Sequence, residues 1–166
     1  MTTLALFALG HILRQQTTLP PLDPAIAYMG KIVGNWDAVA HAGKGSFKCK
    51  FTFAWNEDHR GLHGNAVIAL DSPKPMYSYS VIGYDQNAKA AYYVDAHDSD
   101  TIYTGHVYLE NNKLMFRFGN YGKGEKQFVS TEWFTDDDHY VSEIRQAAHP
   151  DRPPMILVEL TRVKAG

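Results

Sequence analysis

The sequence predicts an all-β fold: an antiparallel up-and-down meander of about ten strands closed into a barrel, with a short N-terminal helix ahead of it. Three observations carry this. After Gly34 apolar residues recur at every second position, the period of a half-buried strand. Turn residues break the chain so often that most connections hold roughly two to six residues, too few for a crossover helix, so neighbouring strands run antiparallel. A run of strands with no helix between them leaves two open edges, and closure removes both.

Taken in order, residues 1–22 form an extension and residues 23–166 the barrel domain. The apolar run Leu4 to Leu13 is interrupted by Gly10 and His11. It is too short to span a bilayer, and it lacks the basic start and small-residue cleavage site of a signal peptide. It reads as a helix packing on the domain or on a partner, with a processed secretory segment as the alternative. Thr18 to Pro24 is a stiff connector, because Pro20, Pro21 and Pro24 forbid helix across it. Asp23 then caps a helix with Pro24 in its first turn, and Ile26, Met29 and Ile32 or Val33 give it an apolar face over residues 24–33. Strands follow near 35–41, 46–55, 60–70, 76–84, 88–97, 101–109, 113–118, 126–135, 139–147 and 155–163. Turn chemistry separates them, including Asp85-Gln86-Asn87, Asp98-Ser99-Asp100 and Asn111-Asn112.

Side chains alternate along a strand, so each hairpin passes the inner face to the next. Phe47, Cys49, Phe51, Phe53 and Trp55 fix the second strand, because Lys48, Lys50 and Thr52 lie opposite. The inner face then runs through Leu62, Gly64, Ala66 and Ile68, and through Met76, Ser78, Ser80, Ile82 and Tyr84. The fifth strand is expected to turn Ala88, Ala90, Tyr92, Val94 and Ala96 inward and Lys89, Asp95 and His97 outward. The sixth gives Ile102, Thr104, His106 and Tyr108, and the seventh Leu114, Phe116 and Phe118. Phe128, Ser130, Glu132 and Phe134 follow, then Tyr140, Ser142, Ile144 and Gln146, then Ile156, Val158 and Leu160. Trp36 and Ala38 of the first strand complete the ring. The many small residues on adjacent strands leave room for a cavity in a barrel this wide.

The net charge is −2 and no Lys/Arg block is present, so no nucleic-acid partner is expected. No membrane partner is expected either, and a homodimer is allowed. Cys49 is the only cysteine, so an intrachain disulfide is impossible and a cytoplasmic location is expected. Its place on the apolar face makes it an inert thiol.

Gly34-Asn35-Trp36, at the start of the first strand, resembles the G-x-W opening of the calycin superfamily, which includes lipocalins and fatty-acid-binding proteins. The stretch Phe53 to Leu62, then Val81-Ile82-Gly83-Tyr84-Asp85, Tyr93-Val94-Asp95 and Val158-Glu159-Leu160-Thr161-Arg162 are similar, in order, to the lipocalin-like family called domain of unknown function 1579. The resemblance covers about residues 30–163 and implies a lipocalin-like barrel; it implies no activity. Nitrobindins, a related barrel family, bind haem through a histidine. Their opening continues with glycines, whereas this chain reads Asp37-Ala38-Val39-Ala40, so no cofactor is expected.

The first functional expectation is a lumen that binds a small hydrophobic or aromatic molecule. Trp36, Phe51, Phe53 and Phe116 would supply contact area, and Ser78, Ser80, Thr104 and Ser142 polar contacts. The alternative is an isomerase, cyclase or lyase using His106, Tyr92 and Glu132 as acid/base groups. His106 pairs across the ladder with Tyr92; its ordinary role would be a lumen histidine satisfied by hydroxyls. Glu132, if it points into the apolar interior, must be paired, hydrogen-bonded or neutralised; the alternative is a strand parity shifted by one, or a place at a wet barrel mouth. A second alternative is an interaction protein with a filled barrel. Glu143 and Glu159 are expected opposite each other in a solvated outer ladder. Asp95 to Asp100 reads as a polar turn, not a metal site, because no H-x-H or H-x-x-x-H pair occurs there. The serines lack the G-x-S-x-G context of a nucleophile.

Overall fold

The structure is a computed structural model that describes residues 21–124 and 126–164. The extension up to residue 20 therefore lies outside the described residues. The chain enters as helix α1 (Pro24–Met29) and a 3₁₀ turn (Gly30–Ile32). Ten strands follow: β1 (Gly34–Ala42), β2 (Gly45–Trp55), β3 (Leu62–Ile68), β4 (Met76–Asp85), β5 (Ala90–His97), β6 (Ile102–Glu110), β7 (Lys113–Asn120), β8 (Phe128–Phe134), β9 (His139–Gln146) and β10 (Ile156–Arg162). Every strand pairs antiparallel with its sequence neighbour, and β1 pairs with both β2 and β10, closing the barrel. Among the described residues, no helix is long and apolar enough to cross a membrane.

The helix starts where its sequence asks it to. Asp23 Oδ1 accepts from the Ala25 amide at 2.8 Å, and Pro24 fills the first turn. The last turn tightens to 3₁₀ before Gly34 takes φ 130°, a conformation open to glycine. A Cβ at Gly34 would also stand 3.1 Å from an Arg162 nitrogen.

That arginine ties the two ends of the barrel domain together. Its guanidinium lies 4.2 Å from the Trp36 ring centre and donates to Val33 O at 2.9 Å and Lys31 O at 2.7 Å. These are carbonyls left over at the end of the helical segment. Trp36, 1% exposed, donates to Ile32 O at 2.7 Å and packs against Phe134 and Tyr140. Together with Ala25, Ile26, Met29 and Ile32, these residues cover one end of the barrel.

The inner face follows the predicted one on eight strands and departs from it on two. On β5 the inward side chains are Ala91, Tyr93, Asp95 and His97, and on β6 Tyr103, Gly105, Val107 and Leu109. The cause is the β4–β5 hairpin. Asp85 Oδ1 accepts from the amides of Asn87 at 2.8 Å and Ala88 at 3.1 Å, and Lys89 takes φ 53°. Asp85 pairs with Ala90, so the loop holds four residues, not three. One extra residue moves every following side chain to the other face. The expected inward positions Tyr92, Val94, Ala96, Ile102, Thr104, His106 and Tyr108 therefore face outward. The apolar pattern does not reveal this shift, because the outside of this region is itself apolar: Tyr79 is 63% exposed and Val81 59%. Asn111 and Asn112, at φ 51° and 59°, form a two-residue turn that pairs Glu110 with Lys113 and carries the inner face onto Leu114, Phe116 and Phe118.

Candidate functional site

Strands β1 to β10 enclose a cavity of about 480 Å³. The interior is hollow, which departs from the filled-barrel alternative, and its size falls in the usual range of small-molecule sites. Met29 and Ile32 reach it from the covered end, and Ser99, Thr101 and Met155 reach it from the loops at the other. Between them the wall is mostly apolar: Phe47, Phe51, Phe53, Leu62, Ala66, Ile82, Phe116, Phe118 and Val158. Phe51 and Phe53 lie parallel with ring centres 6.1 Å apart. Gly64 makes this placement possible, because a Cβ there would stand 2.8 Å from the Phe53 ring and 2.6 Å from Ser80 Oγ. Gly64 thus both leaves volume and makes room for the Phe53 ring.

Besides Ser78 and Ser80 of β4, two carboxylate-bearing groups break the apolar wall. The first is near the covered end. Glu132 of β8 sits between Leu114 and Ser142 in the ladder, which puts it beside β9. Tyr140 donates to its Oε2 at 2.7 Å, Ser130 to Oε1 at 2.8 Å and Ser142 to Oε1 at 3.0 Å. Burial raises the Glu132 pKa, and the three hydroxyls counter part of that rise. Burial also lifts Tyr140 well above the ordinary tyrosine range, and the nearby Glu132 adds to it.

The second lies toward the open end. His97 Nε2 meets Asp95 Oδ2 at 2.8 Å, with 13% and 17% of the side chains exposed. The His97 and Tyr103 rings meet edge-to-face with centres 5.4 Å apart. The other carboxylate oxygen, Asp95 Oδ1, is buried with no hydrogen-bond partner. Tyr93 stands between the two groups. Its pKa is pushed well above the ordinary value, first by burial, then by the charges of Asp95 and Glu132.

The predicted site residues separate accordingly. Phe51, Phe53, Ser78, Ser80, Phe116, Glu132 and Ser142 line the cavity. Trp36 does not; it is spent closing the covered end under Arg162. Thr104, Tyr92 and His106 lie on the outside of β5 and β6. There the Tyr92 ring meets the His106 ring at 4.9 Å, and His106 Nε2 lies 3.5 Å from Asp85 Oδ2. Tyr92 and His106 do pair as expected, on the face turned away from the lumen. Tyr93, Asp95, His97 and Tyr103 are the lumen groups that sequence reasoning missed. The Asn111-Asn112 turn held the signal: read backward from Phe116, it points Leu109, Val107, Gly105 and Tyr103 inward. Glu143 pairs with Leu157, not with Glu159, and forms a 2.7 Å ion pair with Arg145; Glu159 meets His41 at 3.3 Å. Among the described residues no three His, Cys, Asp or Glu side chains gather as a metal site would require.

No protein-family model matches the chain, and no curated protein is found to be similar to it.

Proposed function

We propose that this chain is a lipocalin-like barrel of the domain of unknown function 1579 type and that it binds a small apolar or aromatic molecule in its lumen. The single observation behind the binding reading is the hollow interior of about 480 Å³ with a wall of Phe, Leu, Ile, Ala and Val. Removing the surface of such a ligand from water drives binding, and the two polar groups orient it. The family reading rests on Gly34-Asn35-Trp36 at the start of β1 and the closing Val158 to Arg162 of β10. The lone, buried thiol Cys49 supports a reducing, cytoplasmic setting.

Native mass spectrometry of the purified chain, followed by denaturing extraction, tests the binding reading. A stoichiometric hydrophobic species supports it. A bare mass, together with no uptake of added apolar probes, would reject it.

A second reading, catalysis on the bound molecule, draws on two lumen observations: a raised Glu132 pKa and a His97–Asp95 pair. Those groups, and not His106 or Tyr92, would then handle protons. Glu132→Gln and His97→Ala would abolish turnover of a candidate substrate while leaving the fold intact.

A further inference from the structure

Among the described residues, Asp95 is the lumen carboxylate whose hydrogen bonding is left incomplete. Oδ2 is held by His97 at 2.8 Å, whereas Oδ1 is buried without a partner. A buried acceptor without a donor is costly, and the cost is larger for a charged group. The neighbouring rungs repeat the pattern. Asp95 pairs with Tyr103 on β6, and Tyr103 pairs with Asn120 on β7. Asn120 Oδ1 is also buried without a partner. One level of the barrel therefore carries two buried acceptors without a hydrogen-bond partner, and of the two Asp95 lines the cavity, as do Ser99 and Thr101 at its mouth. Glu132 offers no such vacancy, because three hydroxyls already donate to it.

We infer that the lumen takes an apolar molecule bearing a hydroxyl or N–H donor, and that this donor docks on Asp95 Oδ1 while the apolar body lies against Phe51, Phe53 and Phe116. The inference rests on the cavity reading above and names the chemistry of its occupant. The Asp95 side chain lines the cavity and is 17% exposed, but Oδ1 itself is covered, so docking turns the carboxylate until that oxygen meets the ligand's donor.

The test compares 2-naphthol with 2-methoxynaphthalene by equilibrium dialysis against the full chain. The two share one ring system, but only the naphthol donates. The methyl ether is the more apolar, so a cavity that merely excluded water would prefer it. The expected result is a naphthol preference of about tenfold, as for a hydrogen bond to a charged group, lost in Asp95→Leu with binding of the ether retained. Equal binding, or preference for the ether, overturns the Asp95 assignment and leaves the cavity reading standing, since water then suffices as the donor. A preference that survives Asp95→Leu also overturns it. Uptake of neither compound counts against both readings. If circular dichroism shows that Asp95→Leu fails to fold, the wild-type comparison still decides, and Asp95→Asn, which keeps an acceptor oxygen but not its charge, is expected to show a reduced preference.

Discussion

Near the covered end of the cavity, Glu132 accepts from three hydroxyls; toward the open end, Asp95 has one oxygen on His97 and the other on nothing. Both are acids in the same apolar barrel, yet the fold completes one and leaves the other incomplete. A completed buried network stiffens the wall and specifies its packing. An incomplete one costs stability in the empty state and returns it when a ligand supplies the missing partner. The difference suggests a division of labour, with Glu132 structural and Asp95 available.

Substitutions can break this comparison. The largest effect is expected from Glu132→Leu, which strands the hydroxyls of Tyr140, Ser130 and Ser142 in an apolar end; a loss of about 3 kcal/mol in urea unfolding is expected. Asp95→Leu removes the unpartnered oxygen but also leaves His97 Nε2 without its 2.8 Å partner, so a smaller loss than for Glu132→Leu, about 1 kcal/mol, is expected. Equal losses for the two would erase the distinction. Tyr140→Phe takes one donor from Glu132, so a loss of about 2 kcal/mol is expected in the same assay.

The pH dependence sharpens it. Glu132 has a raised pKa in the folded chain, so the fold binds a proton that the unfolded chain releases. Its contribution is fully present below the ordinary glutamate value and is lost as pH rises through the window up to the raised value. Thermal melts of the wild type should fall across that window, and Glu132→Gln should flatten the fall. Ala66→Phe places a ring in the cavity wall, and probe affinity should drop about tenfold or more, by fluorescence titration, with the melting temperature little changed. The smallest effect belongs to the outer face. His106→Ala, which loses contacts to Tyr92 and Asp85, should cost about 1 kcal/mol or less and leave probe uptake unchanged.

The inner phenylalanines of β2 were legible because that strand alternates plainly between apolar and charged positions, whereas Glu132 is the lone charge of β8 and no such alternation marks its face. Lys48 and Lys50 mark the outside of β2, and with them Phe51 and Phe53 face in. On β5 the same rule misled. Tyr92, Val94 and Ala96 make the better apolar set, but they stand outside, and the more polar Tyr93, Asp95 and His97 stand inside. A cavity wall need not be the more apolar face of its strand, since polar groups there can serve a ligand instead of a packed core. The short-range cue that would have corrected this was the Asn111-Asn112 turn, whose two left-handed residues demand a two-residue loop.

The sequence by itself determined the strand count, the antiparallel order, the helix cap at Asp23 and the inner face wherever charged and apolar residues alternate. These are local matters of period, turn residues and side-chain solubility. Only the tertiary structure decided which carboxylates face the lumen and which of them are partnered. Asp95 was turned inward by one additional residue in a hairpin, and Glu132 was completed by hydroxyls from its own strand and from β9. Facing depends on loop length to the single residue, and satisfaction depends on atoms brought together across strands; neither is carried by the pattern along the chain.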